Sequence, residues 1–154
     1  MPDLLVNLLK LPDLEPLSDK TLVIRRAQPF ELTAVRNFIT DNFSESWADE
    51  VSVGFASKPI SVFIATSDRH VVGFAAYECT RRAFFGPTGV AEGAREKGIG
   101  KALLIHALRG LREMGYVYAI IGAAGPVDFY KAAVGAFVIP ESEPGVYEDL
   151  LKVD

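Results

Sequence analysis

At 154 residues, 49% of them apolar and 23% charged, the chain has the size and composition of one globular domain with one well-buried core. Sixteen basic against twenty acidic residues leave a net charge of −4, which excludes nucleic-acid binding through bulk positive charge and leaves room only for a local basic patch. A single cysteine, Cys79, excludes an internal disulfide and fits a reducing, cytoplasmic setting.

The N-terminus, MPDLLVNLLKLPD, has neither the basic start nor the small-residue cleavage site of a signal peptide. Residues 1–20 are expected as an extension packed on a domain that spans 21–154. Thr21–Arg26 is β-branched and reads as a strand. Pro29 opens a helix in which Leu32, Val35, Phe38 and Ile39 recur at helical spacing. A second helix is expected from about Glu45 to Ala56. The run ISVFIATSDRHVVGFAAYECT places two apolar segments around a polar tip, Ser67-Asp68-Arg69-His70, which predicts a β-hairpin. After a turn at Arg81 and Arg82, Ala83–Val90 is a further strand.

The helix after Gly98 has the strongest pattern. Ile99, Leu103, Leu104, Ala107, Leu111 and Met114 share one face, Lys101, Arg109 and Arg112 lie opposite, and Gly115 ends it. Tyr116–Ala123 reads as a buried strand and Val127–Val134 as a short helix. The tail, AFVIPESEPGVYEDLLKVD, reads as two strands around a Pro-Gly loop. The longest near-apolar run, Val117 to Val127, is too short for a membrane span and is broken by Gly122, Gly125 and Pro126. The sum is a mixed α/β domain of about seven strands with no membrane partner. Two histidines and one cysteine, not clustered, argue against a metal site.

The stretch GVAEGAREKGIGKALL, residues 89–104, carries the chemistry. A P-loop would need Lys where Ile99 stands, and a dinucleotide fingerprint would need Gly where Leu103 stands. The remaining pattern is R-x-x-G-x-G, made by Arg95, Gly98 and Gly100 between a strand and an amphipathic helix. Such a loop presents the unpaired N–H groups of a helix N-terminus to an anion. Arg95, Lys97 and Lys101 would add charge-assisted contacts. A plain glycine turn with solvated cations would have the same composition. Both flanking strands contain breakers near their C-terminal ends: Gly86, Pro87 and Gly89 in one, Gly122, Gly125 and Pro126 after the other. Two parallel neighbours that fail there would splay and expose backbone groups to an extended, amide-bearing ligand. Pyrophosphate at the loop and an amide arm in the gap describe coenzyme A.

These residues resemble the GNAT superfamily of acyl-CoA-dependent N-acyltransferases. The family's V-x-P-x-x-R-x-x-G-x-G/A reads V-A-E-G-A-R-E-K-G-I-G from Val90 to Gly100, and its downstream F-Y reads DFYKAAVGAF. The pattern is broken at Glu92, Ala94 and Glu96, and Tyr130 to Gly135 is one residue longer than usual. The resemblance implies a GNAT-like α/β fold: a mixed sheet with a splayed parallel pair flanking the central βαβ unit, and helices on both faces. It implies acetyl-CoA as cofactor. Thr88 and Val90 would pair with its pantetheine arm. Arg95, Lys97, Gly98, Ile99, Gly100 and Lys101 would hold the pyrophosphate, with Phe129 and Tyr130 lining the site. Tyr130 would protonate the departing thiolate. The implied activity is N-acetyl transfer to a small-molecule or protein amine, with a homodimer left open. Strand alternation makes Glu78 the candidate base, and a strand-end carboxylate paired with Arg81 or Arg82 is the competing reading. Trp47 reads as core packing near the acceptor region. Asp41, Glu45, Asp49 and Glu50 could draw a cationic amine there, against a default of a solvated acidic face. The rival functional class is a non-catalytic acyl-CoA-binding or regulatory module.

Overall fold

The structure, a computed structural model, describes residues 1–153. Seven strands form one sheet: β1 Leu4–Asn7, β2 Leu22–Arg26, β3 Val62–Ser67, β4 His70–Tyr77, β5 Phe84–Val90, β6 Tyr118–Ile121 and β7 Phe137–Val138. Their order across it is β2-β3-β4-β5-β6-β1-β7. Four α-helices flank the sheet: α1 Leu32–Asn42, α2 Glu45–Ser52, α3 Ile99–Glu113 and α4 Val127–Val134.

The local chemistry explains most boundaries. The hairpin closes on the Ser67–His70 pair, and its two turn residues, Asp68 and Arg69, take φ of 48° and 66°. That double left-handed turn matches the twist of the strands it joins. Ser44 caps α2 by accepting a hydrogen bond from the Trp47 N–H. Gly98, at φ 79°, starts α3 in a conformation that side-chain-bearing residues rarely adopt. In α3 the buried stripe is broad and includes Ala102, Ile105 and Leu108 as well as the expected residues. Met114, expected on that face, lies at the helix end and is exposed.

Strand alternation divides the core between the two faces of the sheet. On one face α3 and α4 cover Phe63, Ala65, Ala75, Tyr77 and Phe85. On the other, α1 and α2 cover Val62, Ile64, Phe74 and Ala76.

The seventh strand has an unexpected source. Residues 1–20, read as an extension, supply β1, which lies within the sheet between β6 and β7 and is antiparallel to both. Leu4 and Val6 are wholly buried. The tail, expected to give two strands, gives only the two-residue β7. Pro140 and Pro144 interrupt the chain beyond β7, because proline cannot donate to a ladder.

Candidate functional site

The parallel pair is short. β5 and β6 pair only at Phe84–Ile120 and Phe85–Ile121, and beyond that they part. Both strands contribute. Between the Phe85–Tyr77 and Thr88–Ala75 pairs, two β5 residues, Gly86 and Pro87, face the single Ala76 of β4, so an extra residue bulges there. On β6, the chain turns toward β1 after Ile121. The Ala123 N–H donates to Asp3 Oδ1 at 2.8 Å, and the Ala124 N–H donates to the Pro2 carbonyl. Asp3, from the N-terminal segment, thus helps to draw β6 aside.

The gap has usable backbone. The Ala91 N–H donates to the Val72 carbonyl of β4. Alternation along the strand then turns the backbone groups of Thr88 and Val90 away from β4 and toward the gap. A cleft of about 570 Å³ occupies it, lined by Thr88–Val90, Gly100, Leu104, Gly122–Pro126, Phe129 and Tyr130. Its outer rim is formed by Trp47, Tyr147 and Leu150.

At one end of the cleft stands the N-terminus of α3. No side chain caps it, and its first backbone bond runs from the Ala102 N–H to the Gly98 carbonyl. The N–H groups of Ile99, Gly100 and Lys101 precede that bond. A methyl group on Gly100 would meet nothing nearer than 3.8 Å. The protein's own packing therefore does not demand glycine there, yet the position borders the cleft. The cations are arranged unequally. Arg95 Nε donates to the Val90 carbonyl and braces the loop. Lys97 pairs with Asp19 at 3.6 Å. Lys97 and Lys101 border a hollow of about 230 Å³ beneath residues 13–18. Glu96 is exposed at φ 67° and borders neither cavity.

Tyr130 is 5% exposed and stands edge-on to Phe85 and Phe129, with ring centroids at 6.3 and 5.2 Å. Burial alone pushes its phenol up to about 12. The hydroxyl is thus held protonated at any physiological pH.

Glu78 is not brought to the cleft. It sits at the turn between β4 and β5, at the opposite end of β5 from the splay, with φ 61°. One carboxylate oxygen accepts the Ala83 N–H at 2.7 Å and the other the Tyr116 hydroxyl at 2.9 Å. It closes the turn, and its partners are these groups rather than Arg81 or Arg82. Alternation along β4 was the sole signal for it, and the left-handed kink at Glu78 ends that alternation.

The end of the cleft near α2 differs from expectation. Trp47, read as core packing, is exposed on the cleft rim and stacks on Phe43 at 5.4 Å. Tyr147, from the tail, was not foreseen and donates its hydroxyl proton to Glu50 Oε2 at 3.0 Å. The Thr80 hydroxyl, also unforeseen, donates to the same Glu50 oxygen. No spacing rule links Glu50, Thr80 and Tyr147, which lie on α2, a loop and the tail.

The model of the acetyltransferase (GNAT) family matches residues 30–136. Among solved structures, a GCN5-related N-acetyltransferase from Sphaerobacter thermophilus superposes with a TM-score of 0.71 at 18% identity, over 90% of this chain and 48% of that one. A GNAT family acetyltransferase from Brucella melitensis, solved in complex with acetyl-CoA, gives 0.58 at 20% identity, over 72% of this chain and 80% of that one. The GCN5-related glucosamine N-acetyltransferase region of a fungal multi-domain GH3 β-N-acetylglucosaminidase gives 0.68 at 17% identity, over 90% of this chain. The present chain spans only 19% of that fungal protein. No curated protein matches the chain.

Proposed function

The chain belongs to the acetyltransferase (GNAT) family, and on that premise we propose that it is an acetyl-CoA-dependent N-acetyltransferase acting directly on a primary amine. The observation that carries this reading is the uncapped N-terminus of α3 opening onto the splayed β5–β6 cleft, with Gly100 leaving room on the wall. The donor set fits the cofactor: orphan amides and Lys101 for phosphates, strand-edge amides for the pantetheine arm, and an apolar cleft for its methylenes.

When bound, acetyl-CoA supplies an acetyl thioester. The N–H groups of Ile99, Gly100 and Lys101 would meet the pyrophosphate, and Lys101 would add charge. The backbone of Thr88 and Val90 would align the arm, and an N–H there would meet the charge that builds on the carbonyl oxygen as the amine adds. Tyr130 would lie on the sulfur's side of the cleft. A phenol at about 12 is a weaker acid than a thiol, which lies at about 8.5. Tyr130 would therefore donate a hydrogen bond to the sulfur as charge gathers there and keep its own proton, and the departing thiolate would take up, through water, the proton that the amine nitrogen sheds.

The rival, a non-catalytic acyl-CoA-binding module, has one observation in its favour. Among the described residues no Asp, Glu or His side chain lines the cleft. Thiol release from acetyl-CoA across an amine panel tests the choice. Acetyl-CoA, but neither NAD nor ATP, is expected to raise the melting temperature, and at least one amine to drive thiol release. Stabilisation without release by any amine would establish the module instead.

A further inference from the structure

The cleft crosses the sheet. Its phosphate end lies with α3, and its other end opens among Trp47 of α2 and Tyr147 and Leu150 of the tail. This outer end has an unusual chemistry. Among the described residues no charged side chain lines the cleft, and Trp47 and Leu150 form an apolar rim, 36% and 69% exposed. The Glu50 carboxylate stands behind it, and that of Asp3 acts on Tyr147 more weakly. Glu50, half-buried, receives the hydroxyl protons of Thr80 and Tyr147, and no ion pair among the described residues involves it. Tyr147 lines the cleft and directs its hydroxyl proton at that carboxylate, so its oxygen has only lone pairs left to offer. Burial first, then Glu50, pushes the Tyr147 phenol up to about 12, which keeps that proton in place.

Resting on the acetyltransferase reading, we propose that Tyr147, backed by Glu50, anchors the acceptor's single amino group, and that Trp47 and Leu150 select acceptors whose remaining body is apolar, such as arylalkylamines. One ammonium donates to the Tyr147 oxygen beside the Glu50 carboxylate, and sheds one proton to water before its nitrogen adds to the thioester. A polyamine brings further charges, and an amino sugar brings hydroxyls, to a wall that can pair with neither. Desolvating such groups without partners is costly. An apolar pocket rejects an added hydroxyl only modestly, by about a hundredfold or less. The apolar body in turn covers Trp47 and Leu150, which water now reaches. Tyr147 touches the acceptor, and Glu50 is a positioning residue that acts through it.

The test is steady-state thiol release at saturating acetyl-CoA with 2-phenylethylamine, spermidine and glucosamine. The expected kcat/KM for phenylethylamine exceeds both others by about 10-fold or more. Tyr147→Phe and Glu50→Gln are each expected to raise the KM for phenylethylamine about 10-fold and to leave the KM for acetyl-CoA unchanged. Leu150→Ser, at an exposed site, narrows the preference without altering the melting temperature. Preference for spermidine or glucosamine overturns the inference, as does an unchanged amine KM in both anchor variants. Calorimetric binding of acetyl-CoA separates the two levels. If acetyl-CoA binds and a hydrophilic amine is acetylated best, only the acceptor assignment falls. If acetyl-CoA does not bind, or binds and no amine is acetylated, the acetyltransferase reading falls and takes the assignment with it.

Discussion

Tyr130 is the residue on which turnover is expected to depend most. Removing its hydroxyl leaves the ring, and with it the packing against Phe85 and Phe129. Tyr130→Phe should lower kcat by about 10²-fold, the scale for losing one hydrogen-bond donor aimed at developing charge, with the affinity for acetyl-CoA retained. Single-turnover thiol release together with calorimetry checks both halves. The same residue leaves a mark on stability. Its phenol lies at about 12 when folded, above its ordinary 10. The contribution is whole below pH 10 and is lost as pH rises through about 12, because the unfolded chain ionises first. Denaturation midpoints should therefore fall over that window, and Tyr130→Phe should fall less steeply. A variant that tracks the parent throughout would contradict the assigned burial. The Phe-Tyr pair singled out Tyr130, and the fold sets that residue on the cleft wall. Glu78 shows the limit of such reading, since alternation holds only while the strand stays extended, and φ 61° at Glu78 ends it.

Among the elements, the N-terminus of α3 is expected to matter most to cofactor binding. Gly98 and Gly100 look alike in the sequence, but the fold asks different things of them. Gly98 needs its left-handed φ of 79°. Gly98→Ala should therefore cost about 1 kcal/mol of stability, read from urea midpoints. Gly100 has a helical backbone and open space around it. Gly100→Ala should leave stability unchanged or raise it by up to about 1 kcal/mol, since alanine is the better helix former. It should also weaken acetyl-CoA binding several-fold, because the methyl borders the cleft. A Gly100→Ala variant that binds acetyl-CoA as well as the parent would remove Gly100 from the cradle. The splay itself was legible, since glycine and proline disrupt a strand wherever they fall. Its second cause was not: Asp3 drawing the Ala123 N–H depends on two residues 120 positions apart.

For the molecule as a whole, the placement of β1 has the largest consequence. Leu4, Val6 and Leu8 are wholly buried and belong to the core beneath α3. Burying each stabilises by about 1.5–3 kcal/mol, and the sum approaches the roughly 5–15 kcal/mol that a whole domain has in reserve. A chain starting at residue 21 should therefore lack a cooperative thermal transition by circular dichroism, whereas one starting at residue 1 should unfold cooperatively. A cooperative transition from residues 21–154 alone would show the N-terminal segment to be dispensable. No helix among the described residues is long and apolar enough to cross a membrane.

Local sequence was enough to specify most elements and the glycine loop that leads into α3. The hairpin, α3, the βαβ unit, Gly98–Lys101 and the Phe129-Tyr130 pair all rest on spacings within a few residues, which the local backbone enforces. Folding was needed to join distant segments. It set β1 between β6 and β7, put Glu78 at a turn, and brought Glu50, Thr80 and Tyr147 together beside Trp47. The physical reason is that β pairing and side-chain hydrogen bonds are satisfied by whichever partner the completed core brings near. A run such as LLVN carries its apolar alternation in its own residues, but not the identity of the strands that will flank it.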